Sequence, residues 1–318
     1  MIRKGKVDNK KSILIFSSIS DESTQEVIKW LNYYNQKYIL INSVTDFQLH
    51  NISISQKHFK DSVSAIWYRK LIINPQQVNV KSAELLKTSF KFLVSESKHF
   101  YFSIERYLKN IKSLGDGFEH MDLNKIEVLL KAKEIGINTP SFILTSKKTE
   151  LIKFKNKHTT IITKPIYNAD VIKFDENNTG VMYTKIVTDK VIDKVTETFF
   201  PSLFQECIIK EYEIRVFYLD GAFYSSAIFT NNNDDNIDYR DKGTHKIRSI
   251  TYQLPKNIEK QLTKLMQVME LNTGSIDMIK CKSGKYYFLE INPCGIYEGI
   301  SNACNYNLNK KIAEWLIN

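Results

Sequence analysis

The sequence has few of the residues that mark fibrous, disulfide-rich or membrane-spanning proteins. Its 318 residues include only 11 glycines, 6 prolines and 4 cysteines. So little glycine and proline excludes a collagen-like or low-complexity chain. No stretch approaches the roughly 20 apolar residues of a membrane-spanning helix. The apolar run at 13–16 follows a basic N-terminus. It is too short for a signal peptide and predicts a first buried strand. We therefore expect a cytoplasmic protein without a membrane partner.

The cysteines show none of the spacings that are typical of a metal site or a disulfide framework. Cys207, Cys281, Cys294 and Cys304 form no CxxC pair and have no zinc-type spacing with histidine. In a reducing cytosol such residues are expected to be core thiols.

Positive charge is in excess, but its distribution is not that of a nucleic-acid-binding protein. The 45 lysines and arginines against 35 acidic residues give a net charge of +10, which favours an acidic partner. The lysines are spread along the whole chain, and no nucleic-acid recognition motif accompanies them. ATP phosphates or an acidic peptide fit the charge equally well, and we expect no nucleic-acid partner.

Strand-like and helix-like patterns alternate in the first part of the chain. Residues 11–18, 37–43 and 64–72 are apolar runs typical of strands, and residues 24–34 have the spacing of an amphipathic helix. Residues 80–112 predict one long helix or two broken ones. This alternation is typical of a small parallel α/β unit.

A different pattern begins near residue 122, with more strands, a hairpin at Asp220-Gly221 and a polar stretch at 231–243 that predicts a mobile loop. The predicted elements are a helix from residue 124 to Gly136, strands at 141–146, 158–167, 202–210, 213–230, 274–281 and 285–292, and helices at 256–271 and 307–317.

Three oxygen-bearing side chains fall on one patch of the predicted hairpin at 274–292. A two-residue turn at Ser283-Gly284 makes paired positions sum to 567 and places Asp277 opposite Glu290. Asn292 then shares the face of Glu290, because side chains alternate along a strand. Facing carboxylates repel each other, and magnesium, which prefers oxygen ligands, removes that repulsion. We predict a magnesium site here; the alternative is a solvated sheet face with scattered acids.

The pattern of Asp277 followed thirteen residues later by Glu290-Ile291-Asn292-Pro293 resembles the metal signature of the ATP-grasp ligases. The resemblance implies a mixed α/β (α+β) ATP-grasp fold with ATP and Mg²⁺ as cofactors. The implied division is an N-terminal pre-ATP-grasp α/β domain at 1–118, a central ATP-grasp subdomain at 119–198 and a C-terminal ATP-grasp subdomain at 199–318. No GxxxxGK[ST] loop is present to cradle phosphates.

The same resemblance assigns nucleotide contacts to residues that occur in the family's order. They are Lys125 and Lys164 for the phosphates, a hinge of Glu206, Cys207 and Ile208 for the adenine, and Glu213 for the ribose. Glutamate replaces the commoner aspartate at position 213, which leaves the ribose contact open. Lys125 also fits a solvated first-turn lysine, and Glu206 fits a strand-edge acid.

Further motifs resemble the peptide-modifying branch of the family, which includes the microviridin-type macrocyclases and the maturases of grasp-with-spasm systems. These motifs are Trp67-Tyr68-Arg69-Lys70, Asp238-Tyr239-Arg240 and Glu290-Ile291-Asn292-Pro293-Cys294-Gly295. The resemblance implies an enzyme that joins a Glu or Asp side chain of a precursor peptide to a Thr or Ser hydroxyl, or to a Lys amine. Arg215 and Arg240 are the predicted catalytic arginines, although Arg240 also fits an exposed loop arginine.

The partner implied by this branch is an acidic precursor peptide that contains Thr or Ser and carries a leader. A homodimer is expected by family analogy alone. The aromatic and basic stretch 98–102 fits either a leader contact or the buried side of a helix. The rival hypotheses are a ligase that adds an amino acid to a protein or small molecule, a nucleotide-binding module without catalysis and, last, a nucleic-acid-binding protein.

Overall fold

A computed structural model of the chain describes residues 10–43, 46, 57–70, 83–115, 117, 123–167, 171–173, 179–181, 184–229 and 248–318. They form two compact units. The first unit draws on residues 1–121, 270–274 and 293–318, and the second on residues 122–269 and 275–292. The mixed α/β class predicted from the sequence is confirmed, while the three-domain division with boundaries after residues 118 and 198 stays a prediction.

The first unit is built on a parallel sheet of four strands in the order β2-β1-β3-β4. Its strands are β1 (Ser12–Ser17), β2 (Tyr38–Ile41), β3 (Val63–Lys70) and β4 (Lys112–Leu114). Its helices are α1 (Glu22–Tyr33), α2 (Lys57–Asp61), α3 (Ala83–Leu108), α8 (Glu298–Ala303) and α9 (Leu308–Ile317).

Apolar side chains of the sheet and of α3 form the core of this unit. Leu14 and Phe16 of β1 and Ile66 of β3 pack with Tyr101 and Ile104 of α3. Such burial removes apolar area from water at about 25 cal/mol per Å². Lys98, His99 and Phe100 are exposed, so the stretch at 98–102 lies only partly on the buried side of α3.

The second unit contains two main antiparallel sheets and one pair of short strands. Its strands are β5 (Phe142–Lys147), β6 (Ile161–Lys164), β7 (Val171–Lys173), β8 (Thr179–Val181), β9 (Lys185–Ile186), β10 (Thr198–Glu206), β11 (Tyr212–Leu219), β12 (Ala222–Phe229), β13 (Arg248–Tyr252), β14 (Thr273–Lys280) and β15 (Tyr286–Asn292). Its helices are α4 (Lys125–Glu134), α5 (Lys148–Lys155), α6 (Asp189–Lys194) and α7 (Lys256–Val268). The first two residues of β14 are counted with the first unit. The sheet orders are β5-β10-β6-β9, β13-β12-β11-β14-β15 and β7-β8.

Each main sheet of the second unit has a helical side. Leu151 and Phe154 of α5 pack with Ile161 and Phe204 of the four-stranded sheet. Helix α4 packs against β15 of the five-stranded sheet. In antiparallel pairs, directly opposed residues share a face. Lys164 is opposed to Leu203, whereas Phe204 is opposed to Thr163, so Lys164 points away from the apolar cluster that contains Phe204.

Several predicted elements differ from the structure. The short helices α2, α5, α6 and α8, of at most 8 residues, were not predicted. The short strands β4, β7, β8, β9 and β13, of at most 5 residues, were not predicted either. Elements of this length show too few repeats of a helix or strand pattern to be recognised in the sequence. The strand predicted at 202–210 is found at Thr198–Glu206, so Cys207 and Ile208 lie beyond its end. The predicted mobile loop at 231–243 lies outside the described residues.

The cysteines are free thiols, as predicted, but they are half-buried rather than core residues. In the described part of the chain, no helix has both the length and the apolar character that crossing a membrane requires.

Candidate functional site

The β14–β15 hairpin brings the predicted metal ligands together. Asp277 of β14 is paired with Glu290 of β15, and Ser275 is paired with Asn292. No register shift separates these two pairs, so Glu290 and Asn292, two residues apart, share one face. The predicted pairing of Asp277 with Glu290 is therefore confirmed.

The turn of this hairpin differs from the two-residue turn that was predicted. The Cys281 N–H donates to the Lys285 carbonyl over 2.9 Å, so the loop has three residues, 282–284, rather than two. Gly284 adopts a left-handed φ of +82°, as a three-residue hairpin loop requires. Met278 pairs with Phe288 and Asp277 with Glu290, so a bulge in β15 leaves Leu289 without a directly opposed residue. Beyond this bulge, the numbers of paired residues again sum to 567. The two deviations cancel, and the acids still face each other.

Two lysines converge on Glu290. Lys125 Nζ lies 3.5 Å and Lys164 Nζ 3.8 Å from Glu290 Oε2. Lys164 is only 11% exposed. Lys125 is the first residue of α4, whose N-terminus is capped by the Asn124 side chain. A cation is unfavourable at that end of a helix, so the position of Lys125 indicates a role outside the helix itself.

Arg215 faces the other acid. Its Nε lies 3.1 Å from Asp277 Oδ1, and its Nη2 donates to Asp277 Oδ2 over 3.4 Å. Arg215 belongs to β11, the strand next to β14 in the sheet. Each predicted metal-binding carboxylate is thus accompanied by a basic side chain on a neighbouring element. Five charged residues meet in one place: Arg215, Asp277, Glu290, Lys125 and Lys164.

The chemistry of this donor set fits Mg²⁺ better than a transition metal. Among the described residues, no group of three or more histidines, cysteines or acids could hold a metal ion. Asp277, Glu290 and Asn292 offer two carboxylates and an amide oxygen. Magnesium is typically held by one or two carboxylates together with waters and substrate phosphates. The surrounding cations suit a ligand that carries several negative charges, such as a polyphosphate.

The predicted adenine hinge is located where β10 ends. The Glu206 N–H donates to the Ser141 carbonyl over 2.8 Å, and the Cys207 N–H donates to the Thr160 carbonyl over 3.0 Å. Within the described chain, the Ile208 N–H has no such acceptor. Of these three N–H groups, only that of Ile208 is therefore left for a base.

The Glu206 side chain is also engaged by protein groups. It accepts from the Ser141 N–H over 3.2 Å, and its Oε1 lies 3.9 Å from His158 Nδ1. In the register of β10 and β6, Glu206 is opposed to Ile161 and lies on the face away from Lys164. Burial raises the pKa of the neighbouring Cys207 thiol, and Lys210 partly offsets this. This geometry favours binding of an adenine base by backbone groups of the hinge rather than by the Glu206 side chain.

Glu213, the predicted ribose ligand, forms an ion pair with Lys210. Glu213 is 20% exposed. Lys210 was not recognised in the sequence, because it lies in the irregular segment between β10 and β11. Arg240, the second predicted catalytic arginine, lies outside the described residues, and its role stays a prediction.

The part of the chain that contains these residues matches a known protein family. The model of the RimK-like ATP-grasp domain matches residues 122–316, more than half of the chain. The chain belongs to the RimK-like ATP-grasp family. The match includes every described residue of the site, and the ATP-grasp fold predicted from the sequence is confirmed.

Solved structures of peptide-modifying ATP-grasp enzymes resemble the whole chain. The macrocyclase MdnC of Microcystis aeruginosa MRC, bound with the precursor peptide MdnA, is 26% identical with a TM-score of 0.78, over 96% of this chain and 99% of that one. A RiPP-associated ATP-grasp ligase of Chryseobacterium gregarium, in complex with ADP and a leader and core peptide, is 22% identical with the same TM-score, over 96% of both chains. At that identity the second likeness shows the fold alone.

One curated relative is an uncharacterized protein, MJ0776, of Methanocaldococcus jannaschii. It is 28% identical over 191 residues, which are 58% of this chain. The chain spans 44% of the length of that relative.

Three features of this ATP-grasp chain were missed by sequence reasoning. They are the Lys210–Glu213 ion pair, the contact of the Glu206 side chain with the Ser141 N–H, and the shared contact of Lys125 and Lys164 with Glu290. The third had a signal in the sequence. A lysine at the first position of a helix is locally unfavourable, which marks it as a candidate for a tertiary partner.

Proposed function

We propose that this protein is an ATP-dependent carboxylate ligase that acts on a ribosomally made precursor peptide. It activates a Glu or Asp side chain as an acyl phosphate and closes an intramolecular ester with Thr or Ser, or an amide with Lys. The observation that carries the proposal is the meeting of Asp277 and Glu290 with Lys125, Lys164 and Arg215.

Charge is the first requirement of the proposed reaction. A substrate carboxylate oxygen attacks the γ-phosphorus of ATP, the bond from that phosphorus to the β,γ-bridging oxygen breaks, and ADP leaves with the electron pair. Both reactants are anions, so catalysis depends on positioning and charge neutralisation. Lys125, Lys164 and Arg215 supply that positive charge. Their side chains are between 11% and 22% exposed, which limits screening by water.

Asp277, Glu290 and Asn292 would hold Mg²⁺ in this account. The ion, when bound, acts as a Lewis acid towards phosphoryl oxygens. Basic side chains lie beside both opposed carboxylates, Lys125 and Lys164 at Glu290 and Arg215 at Asp277.

The second step closes the ring. A Thr or Ser hydroxyl, or a Lys amine, of the same peptide attacks the acyl carbon, loses its proton and displaces phosphate. Arg215 is proposed to stabilise the phosphoryl group, because its planar guanidinium can donate to two oxygens at once. Arg240 is proposed to assist it from the segment 231–247.

The peptide substrate is supported by likeness to the macrocyclase that was solved with its precursor peptide. An acidic peptide also suits a chain with a net charge of +10. The proposed cofactors are ATP and Mg²⁺, and a homodimer is proposed by family analogy.

The test is to incubate the protein with ATP, Mg²⁺ and the small acidic, Thr- or Ser-containing peptide encoded beside its gene, and then to weigh the peptide. Macrocyclisation removes one water for each bond formed. A gain of an amino-acid residue mass would instead show the rival activity of amino-acid addition. An unchanged peptide mass together with ATP consumption would contradict the proposed ring closure.

A further inference from the structure

The Trp67-Tyr68-Arg69-Lys70 motif has no role in the site described above, although it resembles the peptide-modifying branch. It ends β3 in the first unit. Trp67 is buried, and Tyr68 stacks on Phe16 with ring centroids 5.2 Å apart. Lys70 is exposed, whereas Arg69 is only 6% exposed. A buried arginine is uncommon and requires partners for its charge and its donors.

The Arg69 guanidinium joins three segments of the first unit. Its Nε lies 3.3 Å from Asp21 Oδ2, and its Nη2 donates to Ser23 Oγ over 3.0 Å. Its Nη1 donates to the carbonyl of Gly295 over 2.6 Å and to that of Cys294. The guanidinium carbon also lies 5.2 Å from the centre of the Tyr297 ring, within cation–π range.

Asp21 balances the buried charge. It caps the N-terminus of α1 and accepts from the Thr24 N–H over 3.0 Å and the Thr24 hydroxyl over 2.8 Å. Its side chain is 9% exposed, so both charges of the ion pair are desolvated together. Removing one partner of such a pair leaves the other buried and uncompensated.

The segment held by Arg69 directly follows the proposed metal ligands. Cys294 and Gly295 are two and three residues after Asn292, the last residue of β15. Gly295 adopts a left-handed φ of +61°, so the chain turns where its carbonyl meets the arginine. Three residues span at most about 10 Å. Fixing the two carbonyls therefore limits how far the backbone of Asn292 can move.

We propose that Arg69 is a positioning residue for magnesium, which acts by fixing the chain just after Asn292. The inference rests on the proposed function, because it takes Asn292 as a metal ligand. Magnesium demands near-ideal octahedral geometry, so small displacements of a ligand are costly. Residues that orient metal ligands typically contribute about 10- to 100-fold in metal affinity.

Only arginine can make this set of contacts. Its five N–H donors form a rigid fork that reaches a carboxylate, a hydroxyl and two carbonyls at once. A lysine at position 69 keeps the charge for Asp21 but cannot hold both carbonyls from a single nitrogen that also faces Asp21 and Ser23. Arg69→Lys therefore removes the guanidinium donors while it keeps the positive charge beside Asp21.

The experiment measures the Mg²⁺ concentration needed for half-maximal strengthening of ADP binding by isothermal titration calorimetry. It compares the wild type, Arg69→Lys, Asn292→Ala and the double variant, with Lys70→Met as a control from the same strand end. Thermal unfolding and ADP binding in EDTA check that each variant is folded. We expect Arg69→Lys to raise the required Mg²⁺ about tenfold or more, with Lys70→Met unchanged.

The double variant separates positioning from general destabilisation. If Arg69 acts through Asn292, Arg69→Lys adds little once Asn292 is alanine. An unchanged Mg²⁺ requirement in a folded Arg69→Lys variant, or an effect as large in the Asn292→Ala background, would overturn the inference. If Asn292→Ala itself leaves the Mg²⁺ requirement unchanged, the metal assignment of the proposed function fails instead.

Discussion

Arg215 contacts both carboxylate oxygens of Asp277, with Nε 3.1 Å from Oδ1 and Nη2 3.4 Å from Oδ2. The two residues lie on neighbouring strands of one sheet, so their backbones fix the approach of the side chains. This arrangement keeps a guanidinium beside one proposed metal ligand, where a transferred phosphoryl group would also be.

Replacing Arg215 with alanine should lower turnover about 100-fold while the protein stays folded, because a donor aimed at developing charge is removed. Steady-state release of ADP in the presence of peptide measures the effect. Arg248→Ala is the matched control, since Arg248 is exposed on β13, the edge strand of the same sheet. Equal turnover in the two variants would remove Arg215 from the mechanism.

The conformation of Gly284 in the hairpin turn can be tested through the stability of the protein, independently of its activity. An added Cβ at Gly284 meets no atom within 4 Å, but φ is +82°. Gly284→Ala should therefore lower the free energy of unfolding by about 1 to 2 kcal/mol through backbone strain alone. Gly299→Ala is the control, because Gly299 is helical and has equally open space. There, alanine should stabilise by about 0.5 to 1 kcal/mol, and thermal unfolding that gave both variants the same sign would refute the three-residue turn.

The Asp21–Arg69 ion pair predicts an acid-dependent loss of stability. Burial raises the pKa of Asp21, but the Arg69 guanidinium and the hydrogen bonds from Thr24 outweigh it, so the net pKa lies below its ordinary value. The unfolded chain then binds the proton more readily than the folded protein. The contribution is present at neutral pH and is lost as the pH falls below about 4.

Melting temperatures of the wild type and Asp21→Asn, measured from about pH 6 to about pH 3, check this sign. The wild type should be the more stable protein at the upper end, and the difference should shrink on acidification. If the difference in melting temperature grew as the pH fell, burial rather than Arg69 would dominate the pKa of Asp21.

The hairpin shows how far sequence could predict the site. Alternation and a Ser-Gly turn placed Asp277 opposite Glu290, and the structure has that pair. The turn itself has three residues, and the extra Leu289 in β15 compensates. Nothing in the local pattern encodes that bulge, because an apolar residue at position 289 fits either register.

The contacts of the site were less predictable than its ligands. Lys125, Lys164 and Arg215 were found through family resemblance, but their distribution between Glu290 and Asp277 depends on the packing of elements far apart in sequence. The partners of Arg69 are more than 40 residues away along the chain. The periodicity of apolar residues does not predict contacts between distant segments. A basic residue near the end of a buried strand does indicate that such a contact exists, because a buried charge needs a partner.

The central claim is that Asp277, Glu290 and Asn292 hold a divalent cation beside ATP. The most direct test is a titration with Mn²⁺ in the presence of ADP, followed by electron paramagnetic resonance, for the wild type and Glu290→Gln. The account predicts that the wild type binds the ion and that Glu290→Gln, still folded and still binding ADP, loses affinity for it at least tenfold. Equal binding of Mn²⁺ by the two proteins would contradict it.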